Sequence, residues 1–245
     1  MDLQEYRQKT REAALRAGPG LMKVFAVYVG VLAVLNLLGY FLETPMYEWM
    51  MHVREYVQAG NMDLPPLPSR ASQGVLFSWL LTLLGRVVTA GWVALTLNAS
   101  RGGEYSWHDL WGSFRNFWKV IVITVVGAVC CTAAAWFFIF PGIWLFYGWR
   151  LSLHVLAEHP DYGPIQCMRQ SRRLMTGERM NLFRLDLSCI LLYVLAALPY
   201  FFTSGILVLW RMPTLALLYA VFYNRTVYWQ DPEAGKTQQE ADGDD

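Results

Sequence analysis

Tyr147, Arg150, His154 and Glu158 follow one another at steps of three, four and four, the spacing that puts residues on one face of a helix. A guanidinium, an imidazole and a carboxylate in a row could bind an anion or pass a proton. A second polar stripe, Ser78, Thr82, Arg86 and Thr89, runs along an otherwise apolar stretch further upstream. Asp186 is the remaining acid close to these runs. Two arginine-bearing faces therefore have to be positioned by elements that are themselves almost wholly apolar.

Those elements follow from composition. Hydrophobic residues make up 55% of the 245, charged residues only 16%, and the mean hydropathy is +0.28. This is too apolar for an ordinary soluble domain. Apolar runs recur at 21–42, 75–97, 120–140, 143–156, 182–202 and 213–228. About twenty residues are needed to cross a roughly 30 Å hydrocarbon layer. The runs predict an all-α integral membrane bundle of about six transmembrane helices, of which the fourth and sixth are short. A polar, basic and amphipathic segment over 1–20 should precede it, the membrane domain should occupy 21–229, and the acidic stretch 230–245 should be a disordered tail. The first apolar run is long enough to span, so it is expected to remain in the mature protein instead of serving as a removable signal. Fifteen of the 20 Lys and Arg fall near the N-terminus, Lys23 included, in the loops at 101–119 and 169–184, and near the C-terminus, Arg225 included. By the positive-inside rule both termini are expected on the cytoplasmic side of a bacterial cytoplasmic membrane.

Two interfacial amphipathic helices are expected besides the spans. One, on the outer surface, carries Met46, Trp49, Met50, Val53 and Val57. The other, at the cytoplasmic interface, carries Trp107, Leu110, Trp111, Phe114, Phe117 and Trp118 on one face, with Ser106 and Asp109 as a variant capping box. Gly127, Cys131 and Ala135 form a small-residue stripe suited to close helix packing. Phe140-Pro141-Gly142 should turn the chain back in a tight hairpin.

Several chemistries are excluded by spacing. His154 and His159 lie five apart, which fits neither zinc-protease helix signature, and no GxSxG occurs. Cys130, Cys131, Cys167 and Cys189 show no CxxC spacing, so neither a metal nor a disulfide framework is expected. Gly235-Lys236-Thr237 resembles the end of a phosphate loop, but position 230 is Gln230 where that loop needs glycine. A net charge of +1, without a basic strip, argues against nucleic acid. No catalytic residue and no cofactor are assigned.

Binding remains. An isolated arginine at mid-membrane costs from about 2.5 to more than 10 kcal/mol, so Arg86 and Arg150 should face the bundle or a wet cavity. With Tyr147, His154 and Asp186 they are candidates for an anion-accepting cleft that takes an anionic lipid or a small anion. The competing expectation is that Asp186, hydroxyls and helix-end carbonyls satisfy them, or that Arg150 snorkels outward. His154 and Asp186 could equally form a proton relay or a buried polar contact. Arg169, Arg172, Arg173 and Arg179 are candidates for contact with lipid headgroups of the phospholipid membrane. A membrane-protein partner docking on the Gly127 face or the Trp107 helix is the alternative function.

Residues of the second half also resemble a bacterial family of polytopic membrane proteins catalogued as domain of unknown function 975. The resemblance rests on Pro141-Gly142-Ile143 with Tyr147, on Ser171, Leu174-Met175 and Gly177, on Phe183, Leu185 and Leu187-Ser188, and on Pro213 with Phe222-Tyr223. It covers roughly 141–228. The chain departs from the family where threonine follows Pro213 and where no acid precedes Ser171. The resemblance implies a helical integral membrane protein and no particular activity.

Overall fold

The computed structural model describes residues 3–59, 66–137, 139–187 and 201–230, and every regular element among them is helical. The expected acidic tail, Cys189 and most of the fifth apolar run lie outside the described residues.

Helix α1 (Leu3–Ala17) is short and amphipathic. Tyr6, Thr10 and Ala13, at helical spacing, are its buried stripe. The stripe docks on the C-terminal helix, where the Tyr6 ring stacks 5.8 Å from that of Phe222 and lies under the Arg225 guanidinium at 4.9 Å. Gly18, at φ +64°, supplies the left-handed turn that ends α1 and admits the next helix.

Helices α2 (Gly20–Gln58) and α3 (Ser69–Ser100) are long and apolar and pair along their length. The expected outer-surface helix is not a separate element. Residues 46–58 continue α2 through Pro45, giving a rod of about 58 Å, nearly twice a hydrocarbon layer. Proline removes a single backbone donor there, and the helix carries on past it. The pair closes tightly where Gly74 meets the Leu42 backbone, since a Cβ at 74 would run into the Leu42 carbonyl oxygen.

The expected cytoplasmic interfacial helix is likewise not free-standing. A single turn, α4 (Asp109–Gly112), and one 3₁₀ turn (Ser113–Asn116) lead straight into α5 (Phe117–Phe137). The Ser106 N–H donates to Asp109 Oδ2 at 2.7 Å, half of the expected capping box. The change of helical pitch splits the aromatic stripe. Leu110 is buried against the core around Trp92 and Leu95, while Trp107, Trp111 and Trp118 stay exposed.

Helix α6 (Ile139–Trp149) folds back on α5, and Gly142 packs against Ala135, where a Cβ would come within 2.8 Å of the alanine methyl. Gly127, on the same small-residue stripe, has nothing within 4 Å of its Cβ position. The fourth apolar run is broken. After α6 the chain turns at Arg150–Leu151 and resumes as α7 (Ser152–Glu158). The Ser152 hydroxyl donates to the Trp149 carbonyl at 2.7 Å, and the Ser171 hydroxyl to that of Gly148 at 3.0 Å, so acceptors freed by the break are satisfied. Helix α8 (Pro164–Leu174) starts at a glycine–proline cap, where Gln166 Oε1 accepts from the Gly163 N–H at 2.9 Å. It buries Cys167, Met168, Ser171 and Leu174.

Helix α9 (179–187) precedes α10 (Phe201–Gln230), which runs through Pro213. The sixth run is therefore part of a longer helix that also holds 211, expected to lie in a loop. Helix α3 sits at the centre, touching α1, α2, α5, α7 and α10. Among the described residues, three helical stretches, Gly20–Gln58, Ser69–Ser100 and Asp109–Trp136, are long and apolar enough to cross a membrane.

Candidate functional site

The polar residues singled out by spacing occupy two separate settings. The first lies where α6, α7 and α9 meet α10. Tyr219 and Tyr223 stand four apart on α10 and match the step of Arg150, His154 and Glu158. Asp186 on α9 accepts from the Tyr147 hydroxyl at 3.0 Å through one oxygen and from the Tyr219 hydroxyl through the other. Arg150 Nη2 donates to the Tyr219 hydroxyl at 3.1 Å, and its guanidinium lies 5.0 Å from that ring and 5.2 Å from that of Phe146. Arg150 is thus held by aromatics, and its charge reaches Asp186 through a shared phenol. His154 is buried and stacks on Tyr223 at 5.4 Å, and among the described residues its Nδ1 has no hydrogen-bond partner. No direct hydrogen bond joins His154 to Asp186.

One turn further on, Glu158 is clasped from both sides. Arg101 Nη2 donates to Oε1 at 2.6 Å and the Tyr223 hydroxyl to Oε2 at 2.5 Å. Arg101 Nε also donates to Asn224, whose amide donates to Ser100, both at 3.0 Å. Burial alone would push the Glu158 carboxyl up. The two donors and the Arg101 charge outweigh it and hold the group below its ordinary value of 4.5. This network ties the C-terminus of α3 to α7 and α10. Arg101, Tyr219 and Asn224 were not singled out from the sequence, and Tyr223 entered only through the family resemblance, although the Tyr219–Tyr223 spacing, matched to the stripe of α7, was a visible signal.

The second setting is a groove of about 380 Å³ between α2 and α3, and Arg86 lines it. Arg86 is the eighteenth of the 32 residues of α3, close to its middle. Asn36, Tyr40, Glu43, Ser78, Thr82 and Thr89 supply the other polar side chains, and leucines 32, 35 and 81 the apolar wall. The hydroxyls of Thr82 and Thr89 bond back to the carbonyls of Ser78 and Gly85, and the Asn36 amide to that of Leu32. Such back-bonding lets hydroxyls sit in an apolar helix. Glu43 accepts from Ser78 at 2.5 Å and from Tyr47 at 3.4 Å. Tyr28, bonded to Thr89 at 3.4 Å, stacks on Trp92 at 5.1 Å, and with Phe25 it forms an aromatic cluster beside the Arg86 end. Arg86 is exposed, and among the described residues neither it nor Glu43 has an ion-pair partner. Glu43 was expected outside the first span and is instead an acid within α2.

Arg86 and Arg150 accordingly do not share a cleft. One lines the α2–α3 groove and the other is locked into the α10 interface. Of the loop arginines, Arg169, Arg172 and Arg173 are exposed together on α8. Arg179 is set apart, 4.5 Å over the Trp144 ring of α6. Among the described residues no group of three metal-ligating side chains occurs.

The arrangement defines an all-helical protein with apolar helices of membrane-crossing length, one closed polar interface and one open polar groove. Its residues 137–228 match the family described as Protein of unknown function (DUF975), the family resembled by the sequence. That match starts at the α5–α6 turn and ends in α10, so it contains most of the closed network and none of the groove. No curated protein and no solved structure matches the chain.

Proposed function

We propose that this is a non-enzymatic multi-pass protein of a bacterial cytoplasmic membrane, with both termini cytoplasmic, that handles a phosphate-bearing lipid or small anion through the α2–α3 groove. The single observation that carries it is Arg86. Its guanidinium is near the middle of an apolar helix, faces an open groove and has no ion-pair partner among the described residues. Exposed to hydrocarbon, such a charge costs several kcal/mol, and an anion in the groove removes that cost. Arg150 is already engaged by Tyr219 and plays a structural part. The exposed arginines 169, 172 and 173 strengthen attachment to anionic lipid, at about 1 kcal/mol each near the surface.

Native mass spectrometry of protein gently extracted from its own membrane tests this. Wild type and Arg150→Gln should retain the same phosphate-bearing species, and Arg86→Gln should lose it. Equal retention in all three would remove the groove from consideration. A second reading, docking of another membrane protein on α5, is favoured by the open space beside Gly127. Co-purification of a stoichiometric partner that Gly127→Leu abolishes would support it.

A further inference from the structure

We infer that the groove is built for a zwitterionic phospholipid headgroup, with the phosphate on Arg86 and a primary ammonium on Glu43. This rests on the proposed anion-accepting role of Arg86 and specifies what else the ligand must carry.

The groove holds one guanidinium and one carboxylate, and among the described residues neither is ion-paired. A headgroup whose only charge is its phosphodiester would satisfy Arg86 and leave Glu43 without a counter-charge. A headgroup with both charges satisfies both ends, and leaves no uncompensated ion in a low-dielectric setting. The spacing agrees. Glu43 is fixed beside Ser78 by the hydrogen bond between them, and Ser78 precedes Arg86 by eight residues on α3, about 12 Å of rise. Long helical side chains lean toward the N-terminus of their helix, so a guanidinium directed that way stands closer to Ser78 than that figure. A phosphate and an amine joined by two carbons fit such an interval. The carboxylate also selects the amine. A primary ammonium donates hydrogen bonds to it, whereas a quaternary one cannot and needs an aromatic cage, of which Tyr40 would be a lone wall.

Volume and shape indicate a lipid as the source. About 380 Å³ accommodates a headgroup and not acyl chains. The groove lies between two membrane-length helices whose neighbouring Leu37, Leu38, Phe41 and Phe77 are exposed, so the chains would leave sideways along apolar surface.

The test uses full-length protein in nanodiscs of equal phosphatidylethanolamine and phosphatidylglycerol, with retained lipid read by native mass spectrometry and folding checked by circular dichroism and monodisperse elution. Wild type should retain phosphatidylethanolamine preferentially. Glu43→Gln should keep a bound phospholipid but shift the ratio toward phosphatidylglycerol by roughly tenfold, the scale of one charge-assisted hydrogen bond. Arg86→Gln should lose both lipids. Ser78→Ala, which only frees the carboxylate from its anchor, should weaken the preference, and with the wild-type ratio it decides the matter if Glu43→Gln fails to fold. A wild-type ratio of one, or a preference for phosphatidylglycerol, overturns the zwitterion, and if Arg86→Gln still loses lipid then the anion-accepting role stands without it. Undiminished retention in Arg86→Gln overturns both. Soluble phosphoethanolamine should not displace the lipid at millimolar concentration. If it binds alone and displaces the lipid, the ligand is the free compound and the lipid assignment is wrong.

Discussion

The two polar settings hold similar chemistry to opposite effect. At the α10 interface, Arg150, Asp186, Arg101 and Glu158 are neutralised or hydrogen-bonded within the protein, with tyrosine hydroxyls as go-betweens. In the α2–α3 groove, Arg86 and Glu43 line the same space without an ion pair to any described residue. Charges that close on one another hold helices together. Charges left open in an apolar setting cost stability, and that cost is recovered when a ligand binds. On the proposed function, one region holds the helices together and the other binds, a division that mutation can break.

The largest effect is expected where the open region depends on backbone contact. Gly74→Val puts a branched side chain where Leu42 leaves no room, so the α2–α3 pair should splay at a cost of about 3 kcal/mol, read as a fall in the unfolding midpoint in detergent. Lipid retention should fall with it, because the groove walls part. Next is Glu158→Gln, which leaves the Arg101 guanidinium half-buried against a neutral amide. About 2 kcal/mol should be lost from thermal stability, with retained lipid unchanged. Asp186→Asn weakens two phenol hydrogen bonds at once and should cost about 1–2 kcal/mol, again without a change in bound lipid. If either variant of the closed interface released the lipid, the division of labour would fail.

A smaller effect follows from the depressed Glu158 carboxyl. The folded state binds this proton less readily than the unfolded chain does, so the contribution to stability is complete above the ordinary value of 4.5. It fades as pH falls through the folded value below that. Unfolding midpoints measured from pH 6 to pH 3.5 should fall more steeply at the acid end for wild type than for Glu158→Gln. The smallest change in stability is expected for Arg86→Gln, within about 0.5 kcal/mol in lipid-free detergent and in the stabilising direction, because no ion pair to a described residue is lost. Its loss of lipid should nevertheless be the clearest among these variants. A large destabilisation without lipid would mean that Arg86 is structural after all.

Several of the residues that carried the family resemblance prove to be packing residues, although Ile143, Phe183 and Leu187 are exposed. Ser171 caps the broken α6, Leu174, Met175 and Leu185 are buried, Gly177 takes a φ of +88°, and Phe222 and Tyr223 fill the core. Their spacing could be read because helix–helix contact imposes it. The groove left a weaker trace. The stripe of Ser78, Thr82, Arg86 and Thr89 was visible, but the partner face on α2 was not, since Glu43 belongs to it only because α2 continues past the expected end of the first span.

By itself the sequence determined the class of protein, its helical elements and their polar faces, because periodicity and hydropathy are local properties of the chain. It also placed Tyr147, Arg150, His154 and Glu158 toward a common side, although it did not show that the helix between them breaks at Arg150. Only the tertiary structure decided which charges meet. Whether an arginine is neutralised depends on residues brought to it from other helices, over separations of 57 positions for Arg101 and Glu158 and 69 for Arg150 and Tyr219. No pattern in the chain encodes such distances, and the same guanidinium becomes a clamp in one place and an open site in the other.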